Sequence, residues 1–299
     1  MDRRISTDTI LAPGLPRRGA RSIDGLWRLI RCAHLAHYVI LSLGALLMVG
    51  PFLWMLGTSF KTATETVSVP PTLWPAHPTL ANYTDVFNEL NFAQLYWNTA
   101  RVAIVKTALM VYTGALVGYI FAKFQFRGRT ILFYAILSTM IIPFEVYMIP
   151  LYVMMVQAKL ANSYLALVLP SIFSAYAIFL FRQFMFGIPG DLIDAARADG
   201  AGEFYIFHRI ILPLSKPALA TMTTFYFMWE WNDFLWPLIV ISDSDKYLLS
   251  VGLATLVGEH TSDYGVIMAG STVAIIPVVL LFVVLQRQII RGITLTGFK

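Results

Sequence analysis

Residues 188–217 read IPGDLIDAARADGAGEFYIFHRIILPLSKP, a mixed-charge segment set between long apolar blocks. It is too polar to lie in hydrocarbon and too patterned for a slack linker. Asp191 is placed to cap a short helix, Leu192, Ala195, Ala196 and Asp199 fall on one face of it, and Gly200 can end it in a left-handed turn. A second short helix follows, with Phe204, Phe207, Ile210 and Ile211 on its apolar side, ahead of Pro213 and Pro217. The predicted object is a helix, a glycine elbow and a second helix. Its alanines allow close backbone approach and the ring of Asp191, Asp194, Arg197, Asp199 and Glu203 sets orientation, which suits docking into a groove of another protein.

The surroundings of this segment are membrane. Of 299 residues 58% are hydrophobic and only 13% charged, which reads as a polytopic membrane protein. Apolar runs long enough to cross about 30 Å of hydrocarbon extend over Tyr38 to Ser59, Asn98 to Ala122, Thr130 to Met154, Ser163 to Phe181, Leu219 to Ile241 and Tyr264 to Leu285. The first exceeds the apolar core of a signal peptide and no A-x-A site follows it, so it counts as a span. Pro143 and Pro150 predict a kink near the outer end of the third, and Gly114 with Gly118 offers a close packing face on the second.

Charge sets the orientation. Seventeen Lys and Arg lie in segments placed inside, whereas the outer loops hold Lys61, Lys159 and Lys246, so both termini are expected in the cytoplasm. The net charge of +5 is therefore a topology signal, and no nucleic-acid partner is expected beside the lipid bilayer. Residues 1–37 read as a cytoplasmic tail, disordered to about Ile23, and 38–299 as a six-span domain. The single Cys32 excludes a disulfide framework.

The run Asp194-Ala195-Ala196, then Gly200, nine residues, Ile210, one residue and Leu212-Pro213 resembles the coupling motif of binding-protein-dependent ABC importer permeases, E-A-A-x3-G-x9-I-x-L-P. Asp194 stands where the family usually has Glu, which keeps the charge and shortens the reach. WNTARVAIV at 97–105, GYIFAKFQFRGR at 118–129, MIIPFEVYMIPLY at 140–152, WEWNDFLWPL at 229–238 and QRQIIRGITLTGFK at 286–299 are similar to the carbohydrate branch of that family, specifically its smaller maltose-type subunit. The resemblance implies an all-α membrane protein of the type I ABC importer permease fold, with six transmembrane helices, in the bacterial inner membrane. It also implies a second homologous permease, an ATPase dimer that holds ATP and Mg, and an external or periplasmic substrate-binding protein. Asp191, Leu192, Asp194, Ala195, Ala196, Asp199, Gly200, Leu212 and Pro213 would then carry ATPase coupling, and the outer loop Ser242 to Asp263 would reach the binding protein.

Ionisable groups inside spans cost about 2.5 to 3.5 kcal/mol on insertion scales and need a partner or a watery cavity. Lys106, Glu145, Glu230 and Asp233 are such groups; Lys106 and Glu145, both in outer halves of their spans, are candidates for an ion pair between spans two and three. Trp229, Glu230, Asn232, Asp233 and Trp236 combine aromatic faces with amide and carboxylate groups, the chemistry that recognises sugars, and Trp229, Asp233 and Trp236 share one face by helical spacing. These residues, with Lys106 and Glu145, are the candidate substrate pathway.

Catalytic and metal-binding signatures are missing from the sequence. Gly265-x4-Gly270-Ser271-Thr272 lacks the lysine of a phosphate loop, and the five histidines show no metal-ligand spacing. The expectation is a transport subunit with no ATPase site, metal or cofactor of its own. A secondary transporter driven by an ion gradient is the rival reading, and it leaves residues 188–217 unexplained.

Overall fold

The computed structural model describes residues 20–89, 91–259 and 263–296; residues 1–19 of the expected tail and 260–262 of the expected outer loop lie outside the described residues. No strand occurs among them. Contacts divide the chain into a unit ending at Trp54 and a unit beginning at Met55. Most of α1 (Ala20–Ser59) makes up the first, and its stretch His37–Ser59 is long and apolar enough to cross a membrane.

The second unit holds the remaining helices. Short α2 (Ala63–Thr66) and α3 (Ala81–Glu89) occupy the segment expected to be the first outer one. There Asn82 donates from Nδ2 to the carbonyls of Ser59 and Lys61, both at 2.8 Å. The second span is α4 (Phe92–Lys123), which begins six residues before the expected Asn98. At 1.5 Å per residue it is about 48 Å long, so it overshoots the hydrocarbon.

Prolines break the next two spans. In the third, α5 (Arg129–Ser138) and a 3-10 turn lead to Pro143, where the chain bends by 99° into α6 (Phe144–Gln157). The expected kink near the outer end is thus a sharp break at Pro143, while Pro150 sits inside a continuous helix. Pro143 has no N–H to extend α5 and instead supplies the extended residue from which α6 starts. In the fourth span α7 (Tyr164–Val168) tightens at Pro170 into a 3-10 turn, Leu169–Ser171, and α8 (Ala175–Phe186) follows at 43° after a break at 172–174.

The 188–217 segment contains α9 (Gly190–Ala198), α10 (Glu203–Ile206), a π-helical stretch (Phe207–Ile211) and α11 (Leu212–Leu214), and it runs directly into α12 (Lys216–Trp231). The fifth span, expected to be continuous over Leu219 to Ile241, is interrupted at Asn232–Phe234 before α13 (Leu235–Val240). The expected outer loop from Ser242 to Asp263 is largely structured: α14 (Leu249–Glu259) lies in it, and Leu248, Leu249 and Val251 are buried. Seven residues of mostly apolar character at the start of α14 explain why this acidic-looking loop folds inward rather than standing in water. The last span is α15 (Tyr264–Thr296). Among the described residues three helices are long and apolar enough to cross a membrane, or up to five if each bent pair counts as one span.

Small residues set the central packing. A Cβ at Gly114 would lie 2.5 Å from that of Ala177, and one at Gly118 would lie 2.7 Å from that of Phe181, so α4 and α8 touch nearly backbone to backbone. Around this contact one core joins Met110, Ala115 and Tyr119 of α4, Phe181 and Met185 of α8, and Ile193, Ile206, Phe207 and Ile211 of the 188–217 segment. A second core, toward the other end of α4, joins Phe92, Leu95 and Ala103 to Trp231, Leu249, Val266 and Ala269. α4 therefore runs through both, and α12 contributes to each.

Candidate functional site

The elbow is a complete helix-ending turn. Asp199 closes α9, Gly200 takes φ +84, its N–H bonds to the Arg197 carbonyl at 3.0 Å and that of Ala201 to the Ala196 carbonyl at 2.9 Å. This paired pattern satisfies two of the carbonyls a helix end leaves open, and it needs a residue tolerant of positive φ. The N-terminal cap differs from expectation. Pro189 holds that position with its fixed φ, and Asp191 sits in the first turn, where it complements the helix dipole without bonding a free N–H.

The α9 face divides. Ile193 is buried and Ala196 packs against the core, while Asp191, Leu192, Asp194, Ala195 and Asp199 face outward. Leu192 is 46% exposed, the one large apolar side chain on a face otherwise made of alanines and carboxylates. In the second helix Phe207 and Ile211 are buried as expected and Ile210 packs beside them, whereas Phe204 is 70% exposed and Ile206 takes the inward place. The wide π stretch just before Pro213 accounts for this shift of register. A proline ring clashes with the carbonyl four residues back, and a wider turn removes that carbonyl from its way. Pro213 and Pro217 accordingly lie within helix and do not end it.

Polar bonds fix the elbow to α4. The Tyr119 hydroxyl donates to Glu203 Oε2 at 3.0 Å, and Arg197 donates from Nε to Glu203 Oε1 at 2.6 Å and from a terminal nitrogen to Asp194 Oδ1 at 3.0 Å. The Arg197 guanidinium holds the Glu203 carboxyl below the usual carboxylate range, the Tyr119 hydroxyl adds to this, and partial burial opposes it. Lys123 donates to the Ile188 carbonyl where the segment begins. Tyr119 and Lys123 lie in the 118–129 stretch but were given no role there; their signal is a polar aromatic and a cation one turn apart near the end of a span.

The second constellation lies at the break in span five. Lys106 of α4 meets Glu230 at the end of α12 and Asp233 in the break, the latter at 3.1 Å, with side chains 5%, 4% and 19% exposed. This corrects the expected pairing: Lys106 bonds across to span five, and Glu145 is exposed on α6, carried away by the bend at Pro143. The expected common face of Trp229, Asp233 and Trp236 is also lost, because the helix stops between them. Trp229 is 76% exposed, whereas Trp236 is buried and donates from Nε1 to the Ala166 carbonyl at 3.0 Å. Asn232 is exposed, on the same side of α12 as Trp229 and Phe225 by helical spacing.

Side chains elsewhere satisfy the broken backbone. Ser250 donates to the Asp233 carbonyl at 2.6 Å. Asn162 Oδ1 accepts from the N–H groups of Ser242 and Asp243, and Thr99 accepts from that of Leu249 at 2.7 Å. The expected binding-protein loop is therefore tied to α4 and to the turn between α6 and α7. At its exposed turn Asp243 pairs with Lys246 at 3.0 Å, and that ammonium, together with the Asp245 N–H, keeps the Asp243 carboxyl below its ordinary value.

The chain is similar to known proteins in sequence and in fold. Residues 114–294 match the family model described as binding-protein-dependent transport system inner membrane component. The arabinooligosaccharides transport system permease protein of Halalkalibacterium halodurans is 40% identical, over 85% of this chain and 92% of that one. The lactose transport system permease protein of Rhizobium radiobacter is 35% identical, over 88% and 95%. In three dimensions a chain of a bacterial ABC transporter involved in the import of the acidic polysaccharide alginate superposes with a TM-score of 0.77 at 24% identity, covering 87% of this chain and 97% of that one.

Proposed function

Because the chain belongs to the family of binding-protein-dependent transport system inner membrane components, the membrane-spanning permease subunits of ABC importers, we propose that it carries a sugar or oligosaccharide inward together with a second homologous permease. An external binding protein delivers the substrate, and an ATPase dimer, which holds the ATP and Mg, drives the cycle. The observation that carries this reading is the outward face of α9, where Leu192 and Ala195 stand between Asp191, Asp194 and Asp199 on a helix braced from behind by Gly200, Arg197 and Glu203. A small apolar knob ringed by carboxylates fits a groove in an ATPase and transmits its closure to α12, with which the segment is continuous.

The sugar assignment draws support from the names of the two relatives above, and from Trp229, Asn232 and Asp233 at the break in span five. Glu230, Lys106 and Trp236 hold that break in shape from within the protein, and Glu145 stands apart from it. We assign the binding-protein contact to the loop Ser242 to Asp263, whose exposed turn carries the Asp243–Lys246 pair. The test is affinity purification of the tagged chain in mild detergent with an ATPase assay. Recovery of a second permease and an ATPase, with activity raised by a soluble binding protein, is the expected result. A chain that purifies alone and transports in liposomes on an ion gradient without ATP defeats the reading.

A further inference from the structure

We propose that the pathway past span five admits uncharged carbohydrate and rejects anionic sugars, because the face formed by Trp229 and Asn232 adjoins a charge cluster with surplus negative charge. This rests on the pathway reading above. Lys106 supplies one positive charge to two carboxylates, Glu230 and Asp233, so the cluster keeps one negative charge when all three are ionised. The C-terminal end of α12 points its partial negative charge at the same place. Of the three, Asp233 is the one that reaches solvent, and it follows Asn232 directly.

The nearby cations are already committed. In the outer half of α4 these are Lys106 and Arg101. Arg101 donates to Asn98 Oδ1 at 2.9 Å and lies over the rings of Trp97 and Tyr164 at 5.4 and 5.8 Å. No described cation stands on α12 beyond Lys216 at its opposite end. A uronate or sugar phosphate passing Trp229 would thus meet an indole face, an amide and a negative potential with no cation offered to it. A neutral sugar needs the first two and is indifferent to the third.

The size of the effect follows from Coulomb repulsion: a unit anion about 8 Å from one net negative charge, at an effective dielectric of about 20, is disfavoured about thirtyfold. The test uses the assembled importer in proteoliposomes, with Cys32→Ser and either Trp229→Cys or Asn232→Cys. Each cysteine is timed against neutral methyl methanethiosulfonate and against the anionic ethylsulfonate reagent, and both rates are normalised to a free thiol. Expected is a sulfonate reaction slowed about thirtyfold, with the slowing removed by Asp233→Asn. Equal normalised rates for the two reagents overturn the charge selectivity and leave the pathway reading standing. If neither cysteine reacts with either reagent in the assembled importer, although both label after denaturation, the pathway reading falls and this inference with it.

Discussion

Replacing Lys106 by Met removes the only positive charge from a buried cluster of three. At about 3 Å and an effective dielectric of about 20, each ammonium–carboxylate contact carries about 5 kcal/mol of attraction, most of which offsets the desolvation of the charges. Deleting the ammonium alone leaves Glu230, 4% exposed, and Asp233, 19% exposed, facing each other without compensation. The expected cost is about 3 to 5 kcal/mol, a large part of the 5 to 15 kcal/mol or so that holds a typical domain folded. The assay is denaturant unfolding in detergent, followed by tryptophan fluorescence, on Lys106→Met, Glu145→Gln and the double variant Lys106→Met/Glu230→Gln. The double variant should recover most of the loss, because it removes the stranded charge together with its partner. Glu145→Gln should fall within about 0.5 kcal/mol of the parent, as exposed substitutions do. A loss below about 1 kcal/mol for Lys106→Met, or a double variant as unstable as the single, would refute the reasoning.

Three further outcomes are expected. Gly200→Pro cannot adopt φ +84 and removes the N–H that bonds to Arg197, so the chain should insert but lose both uptake and binding-protein-stimulated ATPase activity, and normal values of both would show the turn to be dispensable. Gly118→Leu drives a Cβ to within 2.7 Å of Phe181 and should cost about 1 to 3 kcal/mol or more in the same unfolding assay, measured against Gly202→Ala, where a Cβ meets nothing within 4 Å. The brace of Glu203 to Arg197 depends on a carboxyl whose pKa is lowered in the fold. Its contribution is therefore complete above the ordinary glutamate value and is lost as pH falls through the lowered one. The stability gap between the parent and Glu203→Gln should stay constant from about pH 8 to about pH 5 and close only below about pH 4; a gap that closes near neutrality would mean the brace is not the source.

Much of this was legible from residues 188–217, because a motif that combines a positive-φ glycine with fixed flanking spacings determines its own local geometry. Gly200 was placed from sequence alone for that reason, as was the Gly114–Gly118 contact, where only a missing side chain permits the approach. Helix breaks were less legible. Pro143 announces an interruption but not a bend of 99°, since the angle depends on what packs beyond it. The pairing of Lys106 was misassigned for the same cause: depth in a span limits the choice of partners, but the bend decides which one is near. In span five the signal is Pro237, which leaves the carbonyl four residues back, that of Asp233, without a helical partner, but the donor that satisfies it, Ser250, is remote in sequence.

The two constellations are mechanically one. α12 runs 16 residues, about 24 Å, from the end of the elbow segment to Glu230, with no break between Lys216 and Trp231. At the elbow end Glu203 is bonded to Tyr119 of α4, and at the other end Glu230 is bonded to Lys106 of the same helix. An elbow pulled toward an ATPase therefore cannot slide past α4 without breaking the Tyr119 bond and opening the apolar core that Tyr119 shares with Ile193, Ile206, Phe207 and Ile211. The buried Lys106 pair is also costly to open, because each charge would be stranded in a dry environment. α12 is thus tied to α4 near both of its ends, and an elbow displaced by an ATPase would carry α12 and α4 with it. Phe225 and Trp229 on the exposed face of α12 would travel with that unit, and the break at Asn232–Phe234 separates them from α13.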